Sequence, residues 1–103
     1  GGVKVNLGEI ERFATDTARA SGAACALVPS ANGVPDLVLL VENVATDDMR
    51  ALAQALGERF GALTPKVLLT VPSIPRNGAG KIDRAGVAEL TRTALENGTA
   101  QSR

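Results

Sequence analysis

What most constrains this chain is a repeated change of rhythm. In three stretches apolar residues recur every three to four positions: Ile10, Phe13, Ala14 and Ala18 with Thr17; Met49, Leu52, Ala53, Leu56 and Phe60; Val87, Leu90 and Ala94. Between them lie three short apolar runs, Ala23 to Val28, Leu37 to Val41 and Val67 to Val71. The first spacing lays side chains along one side of a helix, whereas runs this short and rich in branched residues suit strands. Three helices and three strands in this order leave room for one small sheet and little else.

Local signals set the boundaries. Asn6 precedes Glu9 by three positions, as in a capping box, and Val5 and Ile10 stand where a hydrophobic staple would lie, so a helix is expected from residue 7 to about 20, ending near Ser21 and Gly22. Thr46 with Asp47 and Asp48 opens the second helix, the acids complementing its dipole, and Gly61 closes it. Asp83 caps a third, from about Arg84 to Leu95. Val3-Lys4-Val5 alternates like a scrap of strand, the loop from Pro29 to Gly33 joins two runs into an antiparallel pair, and Pro72 and Pro75 stop the third run. The expected fold is α+β: a small, mostly antiparallel three-stranded sheet with an N-terminal β-hairpin element, packed with about three helices in two layers. Residues 1–96 read as one domain and residues 97–103 as a disordered tail.

Composition removes many functions. At 103 residues the chain can bury one modest core, so a deep cleft would need a second body. Eleven basic and eleven acidic residues cancel, and no run of like charge marks a nucleic-acid groove or a membrane surface. There is no histidine, and the single Cys25 sits in an apolar run, which excludes a disulfide framework, the usual zinc sets and any histidine base; no metal site is expected. With only Phe13 and Phe60 as aromatics, base-stacking platforms are missing. No apolar run approaches the ~20 residues of a membrane span and the amino end lacks signal-peptide features, so a cytoplasmic location is the expectation.

One stretch carries more chemistry than the rest: Ile74-Pro75-Arg76-Asn77-Gly78-Ala79-Gly80-Lys81-Ile82-Asp83-Arg84. A phosphate-cradling P-loop would require glycine at Pro75 and Ser or Thr at Ile82, and is rejected. What remains is a cation on a loop made compliant by Gly78 and Gly80, able to deliver a point charge into a partner's site. A solvated lysine on a surface hairpin is the alternative that spacing alone leaves open.

Three segments together go further. Gly2-Val3-Lys4-Val5-Asn6-Leu7-Gly8-Glu9-Ile10-Glu11, Leu63-Thr64-Pro65-Lys66 and the lysine stretch resemble, in order and separation, signatures of the small carboxy-terminal domain of adenylate-forming enzymes. That superfamily includes acyl-CoA synthetases, the adenylation domains of nonribosomal peptide synthetases and firefly luciferase. The similarity covers roughly residues 1 to 95. This chain departs from the pattern at Val3, where an aromatic is common, at Lys4, where arginine is preferred, and at Asn77, where threonine is usual.

The resemblance implies a lid domain that rotates on a large amino-terminal domain carrying the acid pocket and most of the ATP site, and the chain is expected to be a fragment of such an enzyme. Lys81 matches the family's adenylation lysine, which would lie between the carboxylate and the α-phosphate of ATP. Gly2 would approach a pantetheine tunnel after rotation. Lys4 and Gly80 would contact nucleotide or CoA, and Arg76, with Arg84 across the loop, would steer polyphosphate. Glu9 reads as structural and Glu11 as solvated. The implied cofactors are ATP or AMP with Mg, held mainly by the large domain, and CoA or phosphopantetheine as acceptor; the implied partners are that domain and a small carboxylic acid. An adenylation subdomain of a peptide synthetase and a non-catalytic binding module of the same fold are the alternatives. In isolation the domain is expected to fold and to be inactive.

Overall fold

The computed structural model describes residues 6–29 and 33–96, in the order α1 (Leu7–Ala18), β1 (Ala23–Val28), β2 (Asp36–Glu42), α2 (Thr46–Phe60), a short 3₁₀ turn (Gly61–Leu63), β3 (Val67–Val71) and α3 (Arg84–Glu96). The strand at Val3 to Val5, the N-terminal hairpin element, the staple residue Val5 and the tail 97–103 lie outside the described residues.

The α+β class and the complement of three strands and three helices are as the apolar rhythm requires. Pairing and layering differ from expectation. The order is β1-β2-β3, with β1 antiparallel to β2 and β2 parallel to β3, so the sheet is mixed. A parallel neighbour needs a crossover, and α2 supplies it. The two-layer arrangement is replaced by three layers. Ala23, Cys25, Leu39 and Val41 pack with α1 and α2 on one face, while Ala24, Ala26, Val38, Leu40, Leu69 and Val71 pack with Ile74 and α3 on the other. The reason lies in the strands themselves. β2 is buried at every position from Val38 to Glu42, and a strand apolar on both faces must be covered on both.

Helix termini follow the sequence closely. Asn6 caps α1, its Oδ1 accepting the Glu9 amide at 3.1 Å, but the reciprocal half of the capping box is absent from α1 because the Glu9 carboxylate turns to Arg59 on α2 at 2.7 Å. The helix stops earlier than Ser21, at Arg19, which takes the left-handed conformation (φ 54°) that a glycine usually provides. Phe13 and Phe60 meet edge to face at 5.5 Å and join α1 to α2. Thr17 and Ala53, assigned to apolar faces by spacing, are exposed.

Candidate functional site

After β3 the lysine stretch doubles back on itself as a closed hairpin that leads into α3. Arg76 and Ile82 form an antiparallel bridge, and the Asn77 amide donates to the Lys81 carbonyl at 2.8 Å. Asn77 also fills the turn from inside: its Oδ1 accepts the amides of Ala79 (2.9 Å) and Lys81 (3.1 Å), while its carbonyl accepts the Gly80 amide at 2.9 Å. Gly80 sits at φ 82°, the left-handed conformation that closes the turn and that side chains disfavour. The loop expected to be compliant is therefore a braced turn. Lys81 is exposed on it, and its ammonium takes part in no ion pair or hydrogen bond with any described residue.

Both stems of the turn are fastened to buried carboxylates. On the incoming side, Arg76 grips Glu42 with Nη1 to Oε2 at 2.9 Å and Nη2 to Oε1 at 3.5 Å, and the same Oε2 accepts the Ile74 amide at 2.6 Å. Glu42 ends the buried run of β2 and is only 6% exposed. Room for the pair comes from Gly22, where a Cβ would collide with Arg76 Nη2 and lie 3.1 Å from Glu42 Oε1. The Arg76 guanidinium, reinforced by the Ile74 amide, holds the Glu42 carboxyl below its ordinary range against the opposing effect of burial.

On the outgoing side, Arg84 opens α3 and grips Glu11 of α1, Nη1 to Oε2 at 2.5 Å and Nη2 to Oε1 at 3.2 Å. Glu11 Oε2 also accepts the Cys25 amide at 2.7 Å, so one carboxylate ties α1, β1 and α3 together. The hydrogen bond to Glu11 raises the Arg84 pKa. Burial, then the Glu11 charge, push the Cys25 thiol up to about 12, with Arg84 pulling the other way. Asp83 completes this stem: its Oδ1 accepts the Gly86 amide at 3.1 Å, the N-cap expected from sequence.

These positions sort the residues singled out from sequence. Lys81 and Gly80 are brought together at the tip. Arg76 faces the base of the turn, bidentate on Glu42, with 36% of its side chain exposed. Gly2 and Lys4 lie outside the described residues. Glu9 is structural, through Arg59, whereas Glu11 is buried rather than solvated. Glu42 was not anticipated at all, although an acid directly continuing the run Leu37 to Val41 was the available signal. Among the described residues no three His, Cys, Asp or Glu side chains converge as a metal site. No helix among them is long and apolar enough to cross a membrane.

No protein-family model and no curated protein matches this chain. Solved structures do. A fatty acyl CoA synthetase of Mycobacterium tuberculosis superposes with TM-score 0.77 at 23% identity, over 91% of this chain and 19% of that one. MatB of Rhodopseudomonas palustris gives 0.76 at 25% identity, over 90% and 19%. An anthranilate CoA ligase, AuaEII, solved with anthranoyl-AMP, gives 0.77 at 18% identity, over 93% and 20%. The chain thus spans about one fifth of the length of the solved structures it resembles.

Proposed function

We propose that this chain, whose fold is that of a small domain of the adenylate-forming synthetases and ligases, is the mobile C-terminal domain of an ATP-dependent carboxylic acid–thiol ligase, with Lys81 as its adenylation lysine. The observation that carries the reading is the contrast at the turn. The two stems of the 74–84 segment are fastened to buried carboxylates and Asn77 braces the turn between them, yet the Lys81 ammonium is exposed and makes no ion pair or hydrogen bond with any described residue.

The chemistry follows from that charge. When a carboxylate oxygen attacks the α-phosphorus of ATP and pyrophosphate leaves, negative charge gathers on the phosphoryl oxygens, and an ammonium beside them offsets it. One such donor in a water-poor site supplies about 3 kcal/mol, about a hundredfold in rate. The remainder of the site belongs to the large partner domain. That domain would hold the acid, most of the nucleotide and the Mg, since this chain's described residues offer no metal-binding cluster. Rotation of the small domain would then withdraw Lys81 and bring Gly2 and Lys4 toward CoA or phosphopantetheine, with Gly80 at the nucleotide in the first pose. Arg76, already engaged by Glu42, contributes by holding the base of the turn. The proposed setting is the cytoplasm, and the isolated domain is inactive for want of its partner.

Lys81→Ala in the full-length enzyme tests the assignment. Acyl-adenylate formation, followed by acid-dependent pyrophosphate exchange, is expected to fall at least about a hundredfold. Transfer from preformed acyl-adenylate to thiol should survive. Equal loss in both half-reactions would remove Lys81 from the adenylation role.

A further inference from the structure

We propose that Asn77 is the positioning residue for Lys81. The proposal rests on the adenylation role assigned to Lys81 above. A lysine side chain has four rotatable bonds beyond its Cα, so the ammonium can reach a fixed point in a partner's cleft reproducibly only if its backbone is itself fixed. In this turn the fixing is done from within. The Asn77 carboxamide oxygen accepts both the Ala79 and the Lys81 amides, at 2.9 and 3.1 Å, and the Asn77 amide and carbonyl complete the closure with Lys81 and Gly80.

No core contact shares this task. Asn77, Gly78, Ala79, Gly80 and Lys81 are all exposed, so the turn's geometry depends on hydrogen bonds made by one residue and on the stems at Arg76 and Asp83. The side-chain oxygen is the part that a substitution can remove without disturbing the buried ion pairs. An asparagine is suited to it because its short side chain bonds its own backbone further along the chain. Asn77 touches no reacting group; it sets where Lys81 begins.

The test compares Asn77→Ala, Asn77→Asp and Lys81→Ala in the full-length enzyme, reading amide-exchange protection and the two half-reactions separately. Asn77→Ala is expected to lose protection at the Ala79 and Lys81 amides and to lower kcat for adenylation about tenfold, with KM for ATP and transfer to thiol unchanged. Asn77→Asp keeps the acceptor oxygen and should recover the protection and most of the rate. If Lys81→Ala cripples adenylation but Asn77→Ala does not, the positioning role is overturned while the lysine assignment stands. If Asn77→Ala slows both half-reactions alike, the residue serves stability alone and the proposal is again overturned. Should Lys81→Ala leave adenylation intact, the functional reading fails and this proposal falls with it.

Discussion

Arg84 and Glu11 stand 73 positions apart and meet at 2.5 Å, joining the first turn of α3 to the middle of α1 around the outer side of β1. Their contact links helices on opposite faces of the sheet, which no apolar cluster does. Removing Arg84 would leave a largely buried carboxylate with only the Cys25 amide for company. Because 56% of the Arg84 side chain is exposed, the cost of Arg84→Ala is placed near the low end for such pairs, about 1–3 kcal/mol. A double-mutant cycle with Glu11→Gln, followed by urea unfolding, should give a coupling of about 1 kcal/mol or more. Simple additivity would show that the two residues do not act as a pair.

Glu42 makes stability depend on acid in a defined direction. Its folded carboxyl titrates below the ordinary value of 4.5, so the contribution of the Arg76 pair is fully present above that pH and fades as pH falls through the folded pKa. Glu42→Gln should therefore be less stable than the parent at pH 7, by about 2–4 kcal/mol, with the gap closing in acid. Thermal unfolding of the two proteins between pH 7 and pH 3 measures it. A gap independent of pH would mean that charge is irrelevant at this position.

Gly22 is required by what sits beside it. A methyl there would push the Arg76 guanidinium aside and crowd the Glu42 carboxylate, so Gly22→Ala should weaken that pair and cost about 1 kcal/mol. Gly57→Ala offers the contrast, since a Cβ there meets nothing within 4 Å and lies in a helix. It should be neutral or stabilising by up to about 1 kcal/mol. Equal melting temperatures for the two variants would refute the account.

Cys25 should behave as inert packing. With its pKa near 12, only about one thiol in ten thousand is ionised at pH 8, and the side chain is 3% exposed. Labelling by an aromatic disulfide reagent is expected to proceed no faster than unfolding and to accelerate with urea. Burst labelling in native buffer would contradict this.

The elements themselves were legible because each rests on local physics: helical spacing, the Asn6 and Asp83 caps, the Gly61 stop and the prolines after Val71 all act within a few residues. Layering was less so. An apolar run such as Leu37 to Val41 says that both sides of a strand are covered, but reading it as one buried face hid the third layer. Parallel pairing of β2 with β3 depends on where α2 returns the chain, which is a tertiary outcome. At the site, Lys81 and its glycines were visible, and the role of Asn77 was not, since a departure from a pattern does not announce its new partners. Glu11 could have been found: it lies three and seven positions before Ala14 and Ala18, on the flank of the buried stripe. Its partner in α3 could not, because nothing local connects them.

The seat of Glu11 has a consequence for association between molecules. Among the described residues β1 pairs only with β2, which leaves its far side as a natural template for an incoming chain. The hydrogen-bond donor at its centre, the Cys25 amide, is already occupied by a carboxylate that Arg84 pins in place. An incoming strand would find that rung already taken, with the Glu11 and Arg84 side chains lying across the edge, so the ion pair that joins two helices also occupies a place where a further strand would pair.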